Sequence, residues 1–322
     1  MKAITQDRYG STDVLRLRDV EAPTPGDHEV LVRVQAAGIA RGVLHVMTGE
    51  PYLMRLVGFG LLKPKNPVPG QDVAGTVTAT GDGVTRFTVG DEVFGIAKGS
   101  FAEYAVARED KLSPKPTNLT FEQAAAMPIS GLTALRALDA AGVTNGSNVL
   151  IVGASGGVGT YAVQIGVAMG ATVTGVASGS KADLVTALGA QHVIDYTREE
   201  FADGAHKYDA VVDTGGMTPV SRLRRTLQPK GTLIIVGGES GSKWSPGLGR
   251  QLKAAAMSPI VSQRMTSILN KEHYSGLDRL AKLAATGELK PCIERTYPLA
   301  EVPAAVRQLE AGKVRGQVVI TP

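Results

Sequence analysis

Asn148-Val149-Leu150-Ile151-Val152-Gly153-Ala154-Ser155-Gly156-Gly157-Val158-Gly159-Thr160-Tyr161-Ala162-Val163-Gln164-Ile165-Gly166-Val167-Ala168-Met169 is the stretch that decides the fold. The run from Val149 to Val152 is apolar and rich in β-branched residues, as suits a strand buried on both faces. Glycines at 153, 156, 157 and 159 then form a turn, and an apolar run of helical length follows. A strand, a glycine-rich turn and a helix in that order let the backbone approach a pyrophosphate. The N–H groups and the positive dipole at the helix start meet its charge. The pattern departs from strict G-x-G-x-x-G, because Ser155 stands in place of the middle glycine. Taken alone, such a turn fits a close strand–helix contact equally well.

What favours the nucleotide reading is the sequence around the turn. Strand candidates follow at α/β spacing over 148–153, 171–178, 209–213 and 232–237, with a shorter one at 192–196. This alternation predicts a parallel, doubly wound sheet of the Rossmann type. The end of the second strand chooses between NAD and NADP, because an acid there would bond the ribose 2′-hydroxyl and repel a 2′-phosphate. This chain has Ser178-Gly179-Ser180-Lys181 instead. Hydroxyls and an ammonium accept a phosphate, so NADPH is the expected cofactor. The lysine by itself would read as a surface residue at a helix start; the missing acid gives it weight.

The first third has a different texture. Strand candidates at 30–35, 73–80 and 91–96 are separated by glycine-rich turns such as Gly81-Asp82-Gly83, which predicts a barrel-like β domain. Ala-rich helical sequence runs over 121–141, just after Pro114 and Pro116, so the boundary is expected near residue 120. The tail, with a helix at 277–286 and a strand at 316–321, is expected to rejoin the first domain. The expected division is therefore 1–120 with 266–322, and 121–265.

Composition narrows the function classes. A chain of 322 residues exceeds what one core usually organises, and 43% hydrophobic residues can fill two. The net charge of +4 is mild, and its 34 Lys and Arg are spread among 30 acids. The densest basic patch, Arg222 to Arg225, reads as a solvated helix face rather than a nucleic-acid stripe. The single cysteine, Cys292, allows no internal disulfide and no four-cysteine zinc site. No stretch reads as a membrane span and the first ten residues show no signal core, so a cytoplasmic location is expected.

The motifs Gly26-Asp27-His28-Glu29-Val30-Leu31-Val32-Arg33, Pro67-Val68-Pro69-Gly70-Gln71-Asp72-Val73-Ala74-Gly75, Val89-Gly90-Asp91-Glu92-Val93-Phe94-Gly95 and Gly131-Leu132-Thr133-Ala134 stand upstream of the glycine turn, and Gly189-Ala190-Gln191-His192-Val193-Ile194-Asp195-Tyr196 downstream. In this order and spacing the chain resembles the medium-chain dehydrogenase/reductase superfamily, and within it the zinc-independent quinone oxidoreductase branch that includes zeta-crystallin-like proteins. The resemblance covers essentially the full length. It implies a GroES-like β-barrel domain joined to the Rossmann domain, and a homodimer, with the segment 259–265 as a candidate interface.

Zinc members of the superfamily carry a Cys in the stretch matching Ala37 to Arg41 and a His-Glu pair after the Pro-Gly that matches Pro69-Gly70. Here those positions hold Ala40, Gln71 and Asp72, and the third ligand position falls near Ile129. Metal-assisted alcohol oxidation is therefore not expected. His45 and His192 are isolated histidines, a pattern more typical of surface or packed residues than of ligands.

The resemblance further implies that Ser155, Gly156, Gly157 and Val158 hold the pyrophosphate, with Gly153 and Gly159 in the same cofactor-binding turn, and that Ser178, Lys181 and Tyr196 surround the 2′-phosphate. It places Thr133 and Gly237 near the nicotinamide and matches Tyr52 to a cleft tyrosine, although Tyr52 also reads as an ordinary loop aromatic. Many quinone-reductase relatives carry Asn where this chain has Ala40, and often Asp where it has Val43. The implied chemistry is hydride transfer to a quinone or α,β-unsaturated carbonyl, with negative charge gathering on the substrate oxygen. Tyr52 and Arg41 are the candidate donors to that oxygen. Two rival readings stand beside it: a 2-enoyl thioester reductase, and an NADPH-binding structural or sensor protein without turnover.

Overall fold

The computed structural model describes residues 1–56, 60–237, 249–250, 254, 261–268 and 272–322, with backbone only at Met54. The chain divides into two compact units, Met1–Leu132 with Lys271–Pro322, and Thr133–Asn270.

In the first unit, β1 (Lys2–Thr5) pairs antiparallel with β2 (Arg16–Asp19). Then come β3 (Glu29–Gly38), α1 (Gly42–Thr48), α2 (Tyr52–Met54), β4 (Asp72–Thr80), β5 (Glu92–Ile96), β6 (Tyr104–Arg108), β7 (Leu112–Pro114) and α3 (Phe121–Ala125). Strand β3 pairs antiparallel with both β4 and β6, and β4 continues to β5 and β5 to β7. Val30, Val32 and Val34 alternate along β3 into the core with Val73, Val77, Val93 and Phe101. That period of two is what a half-buried strand requires.

Helix α4 (Pro128–Ala141) leads into the second unit. The helical stretch expected over 121–141 is two helices. Thr120 starts the first with a capping box to Gln123, and Pro128, which has no N–H to give, starts the second. The second unit is built from β8 (Asn148–Val152), α5 (Gly157–Ala168), β9 (Thr172–Ala177), α6 (Ala182–Ala187), β10 (His192–Asp195), β11 (Tyr208–Asp213), α7 (Val220–Arg225), β12 (Leu227–Ile235) and β13 (Arg264–Ser267). Its six-stranded sheet has the order β10-β9-β8-β11-β12-β13 with every pairing parallel. The fold class is the expected one: a β domain of GroES-like type and a doubly wound, Rossmann-type parallel sheet. Val149, Leu150 and Ile151 are wholly buried, as befits a central strand covered on both faces. The basic patch at 222–225 lies on α7. Arg222 is paired with Glu200, and Arg224 donates to Gln263.

The tail returns to the first unit as α8 (Tyr274–Ala285), β14 (Ile293–Pro298), α9 (Val302–Glu310) and β15 (Gln317–Thr321). Strand β15 joins β3, and Val302, Ala305, Val306 and Leu309 of α9 enter the same core.

Both borders of the second unit fall later than the expected 121 and 265. Helix α3 packs on β3 and β4, and Asp72 of β4 accepts a hydrogen bond from the Ile129 backbone N–H at 2.8 Å, which keeps the first turn of α4 with the first unit. At the other end β13 pairs with β12 and carries the sheet through Ser267.

Candidate functional site

In the second unit the turn after β8 follows from its glycines. Gly153 has φ +81°, and a Cβ there would lie 2.6 Å from Thr214 Oγ1 and 3.0 Å from the Gly215 nitrogen. Gly159, inside α5, runs against the turn itself, since a Cβ would lie 2.1 Å from the Gly153 carbonyl oxygen. Helix and strand thus approach more closely than any side chain permits. Gly156 is the N-cap of α5, in extended conformation, and Gly157 opens the helix. The first backbone N–H groups of a helix have no intrahelical acceptor, so those near Gly157, Val158 and Gly159 present an anion-binding end. Ser155 is buried in the turn. Four of the seven residues from Gly153 to Gly159 are glycines, which leaves the backbone of this turn uncovered by side chains.

On one side of β8, strand β9 ends at Ala177, and a short 3-10 turn, Gly179–Lys181, leads to α6. Ser178 and Lys181 are partly exposed, and the Ser178 and Ser180 hydroxyls lie 3.2 Å apart. Tyr196 follows β10, whose pairing with β9 brings it beside the same turn; its backbone N–H donates to the Ala177 carbonyl at 3.2 Å and its side chain is 57% exposed. The sheet therefore gathers Ser178, Lys181 and Tyr196 at the ends of adjacent strands. Sequence reasoning missed Asp195, the last residue of β10. Its carboxylate accepts from the Thr197 hydroxyl and backbone N–H and from the Gly179 backbone, and these bonds hold its pKa below the usual aspartate value. An anion thus stands at the neighbouring strand end, bonded both to Thr197 of its own loop and to Gly179 of the turn that follows β9.

On the other side of β8, Gly237 follows β12; its N–H donates to the Asp213 carbonyl at 3.1 Å, and a Cβ on it would lie 2.6 Å from the Thr214 carbonyl oxygen. Asp213 ends β11 and is fully buried, its carboxylate paired with Arg250. A charge closing the apolar strand Tyr208–Asp213 is a signal legible in sequence, since parallel strands end at the ligand edge. Nothing local marks Arg250. Thr133 lies buried in α4.

Arg41 and Tyr52 belong to the first unit. Arg41 is the N-cap of α1 and exposed, although neighbouring protein removes enough solvent to lower its pKa from the ordinary arginine value. Tyr52 opens α2, partly buried, with the Arg55 guanidinium 4.6 Å from its ring centre. Arg55 also stacks on Tyr9 at 4.3 Å and donates to the Gly49 and Thr48 carbonyls, so it fixes the ring of Tyr52. That role had no sequence signature.

Of the positions matching zinc ligands, Ala40 is buried and Ile129 donates its backbone N–H to Asp72; Val43, where quinone-reductase relatives often carry Asp, is buried in the apolar core. Burial pushes the Asp72 carboxyl well above the usual aspartate range, a shift that the Ile129 hydrogen bond opposes and nearby Glu272 reinforces. His45 directs Nδ1 to the Glu50 carbonyl at 2.8 Å. Among the described residues no group of three or more His, Cys, Asp or Glu side chains could hold a metal ion, and no helix is long and apolar enough to cross a membrane. Of the candidate dimer segment, residues 259 and 260 lie outside the described residues.

Comparison with known proteins agrees with this architecture. Residues 26–117 match the alcohol dehydrogenase GroES-like domain, and residues 188–320 match the zinc-binding dehydrogenase family. The chain is similar to the quinone oxidoreductase of Homo sapiens, at 32% identity over 95% of this chain and 92% of the relative. It is equally similar, at 32% identity over 100% of this chain and 79% of the relative, to 2-methylene-furan-3-one reductase of Solanum lycopersicum. Among solved structures, Escherichia coli quinone oxidoreductase complexed with NADPH superposes with a TM-score of 0.85 at 26% identity, covering 100% of each chain. The chain belongs to the medium-chain dehydrogenase/reductase superfamily, in its quinone oxidoreductase branch, a family of oxidoreductases.

Proposed function

We propose that this chain is a zinc-independent, NADPH-dependent reductase that passes hydride to a quinone or an α,β-unsaturated carbonyl compound. The observation that carries the reading is the acid-free end of β9, with Ser178, Ser180 and Lys181, beside a glycine turn so close-packed that a Cβ at Gly153 or Gly159 would collide with neighbouring protein atoms. The α5 N–H groups and Ser155 hold the pyrophosphate, Ser178 and Lys181 bond the 2′-phosphate, and the exposed Tyr196 ring flanks it. Thr133 and Gly237 border the nicotinamide.

When bound, NADPH supplies a hydride from its nicotinamide C4. The chain's own task is to orient the acceptor and meet the charge that forms on its oxygen. Tyr52 donates its hydroxyl proton or hydrogen bond to that oxygen, and Arg41 adds a fixed positive charge. Quinones and enones suit such a site, because delocalisation lowers the demand for a strong acid and leaves positioning as the larger share of the work. The names of the human and tomato relatives support the same two acceptor classes. Ala40, Gln71 and Ile129 offer no thiolate or imidazole where zinc relatives bind metal, so the reaction proceeds without zinc. The family resemblance extends the proposal to a homodimer.

The test is NADPH oxidation, followed by absorbance, over a panel of quinones, enones and 2-enoyl thioesters, with NADH in parallel and with a chelator added. Turnover with NADPH on quinones or enones, unaffected by the chelator, is expected. Turnover confined to enoyl thioesters, or abolished by the chelator and restored by zinc, would contradict the reading.

A further inference from the structure

The sheet order places β9 and β10 on one side of β8 and β11 and β12 on the other. If the 2′-phosphate lies at the ends of β9 and β10 and the pyrophosphate at the β8 turn, the remaining half of the dinucleotide runs over the ends of β11 and β12. One buried group ties those ends together. Arg250 Nη2 donates to Asp213 Oδ2, at the end of β11, and to the Thr218 carbonyl at 2.6 Å, while Nη1 donates to the Gly237 carbonyl at 3.2 Å. The other carboxylate oxygen of Asp213 accepts from the Gly216 N–H at 3.1 Å. Asp213 is 0% exposed and Arg250 14%.

A buried ion pair gives up its hydration, and a well-packed apolar pair stabilises a fold as well or better. What an apolar pair cannot do is pin three separate backbone segments at defined distances. A planar guanidinium fork does so, and a lysine ammonium, with one nitrogen, cannot span the same acceptors. We infer that Arg250, through Asp213, is a positioning residue that holds the 214–218 turn and Gly237 in the shape that receives the nicotinamide half of the cofactor; this rests on the cofactor reading above.

The experiment measures calorimetrically the binding of NADPH and of adenosine 2′,5′-bisphosphate, a fragment that uses only the phosphate end. Arg250→Lys is compared with the unaltered chain, and near-UV circular dichroism reports the fold of each. Loss of a preorganised loop should weaken NADPH by about tenfold or more and leave the fragment within about threefold. If Arg250→Lys does not fold, the pair Asp213→Asn with Arg250→Gln, which leaves no buried charge uncompensated, is expected to show the same split. Equal loss of both ligands, or unchanged NADPH affinity, overturns the positioning role. An unaltered chain that binds neither ligand overturns the cofactor reading, and this inference with it.

Discussion

The carbonyl oxygen of Gly153 occupies the space in which a side chain on Gly159 would stand, 2.1 Å from the position of its Cβ. The obstacle is backbone on both sides, since the Ala154 Cα and carbonyl carbon lie at 2.8 Å. Gly159→Ala must therefore push α5 away from β8. We expect destabilisation of about 1–3 kcal/mol or more, the scale of overpacking a rigid contact, together with loss of nucleotide binding. Urea unfolding and calorimetric titration check it; a variant of unaltered stability and affinity would show that the close approach is not required.

Cofactor choice turns on Lys181. Lys181→Ala should erode the preference for NADPH over NADH by roughly 1.5 to 3 kcal/mol, the worth of a charge-assisted hydrogen bond. The Asp195 carboxylate reaches the Gly179 backbone of the same turn but is occupied by its bonds to Gly179 and Thr197, so the preference should survive that neighbouring charge. Dissociation constants for both dinucleotides decide the matter, and equal affinities in the unaltered protein would contradict it.

The parallel sheet was legible in the sequence, because apolar β-branched runs and glycine turns are local signals. So were the glycine turn after β8 and the Ser178–Lys181 turn, which sit at the ends of those runs. Strand β13 and the pairing of Arg250 with Asp213 were not, since each depends on segments distant in sequence: Ile235 beside Ser267, and a carboxylate reached 37 residues later. Arg55 behind Tyr52 was hidden for a different reason. Stacking of a guanidinium on a ring is set by side-chain direction within one turn, which residue spacing does not report.

Tyr52→Phe keeps the ring on Arg55 and removes only the hydroxyl. Because water or a cofactor ribose hydroxyl can also protonate a delocalised anion, turnover should fall by about 10- to 100-fold, less than the loss usual for an indispensable oxyanion donor. NADPH affinity should change little. An unchanged single-turnover rate would remove Tyr52 from the chemistry and leave Arg41 as the donor.

Asp72 predicts a pH dependence of stability. Burial raises its folded pKa, whereas the unfolded chain returns it to about 3.9. Between those values the folded state holds the extra proton, so the contribution of Asp72 to stability is full at acid pH and is lost as pH rises, by at most about 1.4 kcal/mol per pH unit. Asp72→Asn cannot ionise and keeps an oxygen for the Ile129 N–H. In urea unfolding the variant should match the unaltered chain near pH 4 and exceed it as pH rises above that. A difference independent of pH would refute the raised pKa of the buried carboxyl.

Direct hydride transfer from NADPH to carbon leaves an isotopic trace in the product. With NADPH deuterated at the transferred C4 position and a simple enone as acceptor, the saturated ketone should carry one deuterium at its β-carbon, found by mass spectrometry, and should carry it equally in ordinary water. NADPH consumption that leaves no deuterium in the ketone, or a chain that binds NADPH and reduces neither enone nor quinone, would rule out direct hydride transfer by this protein.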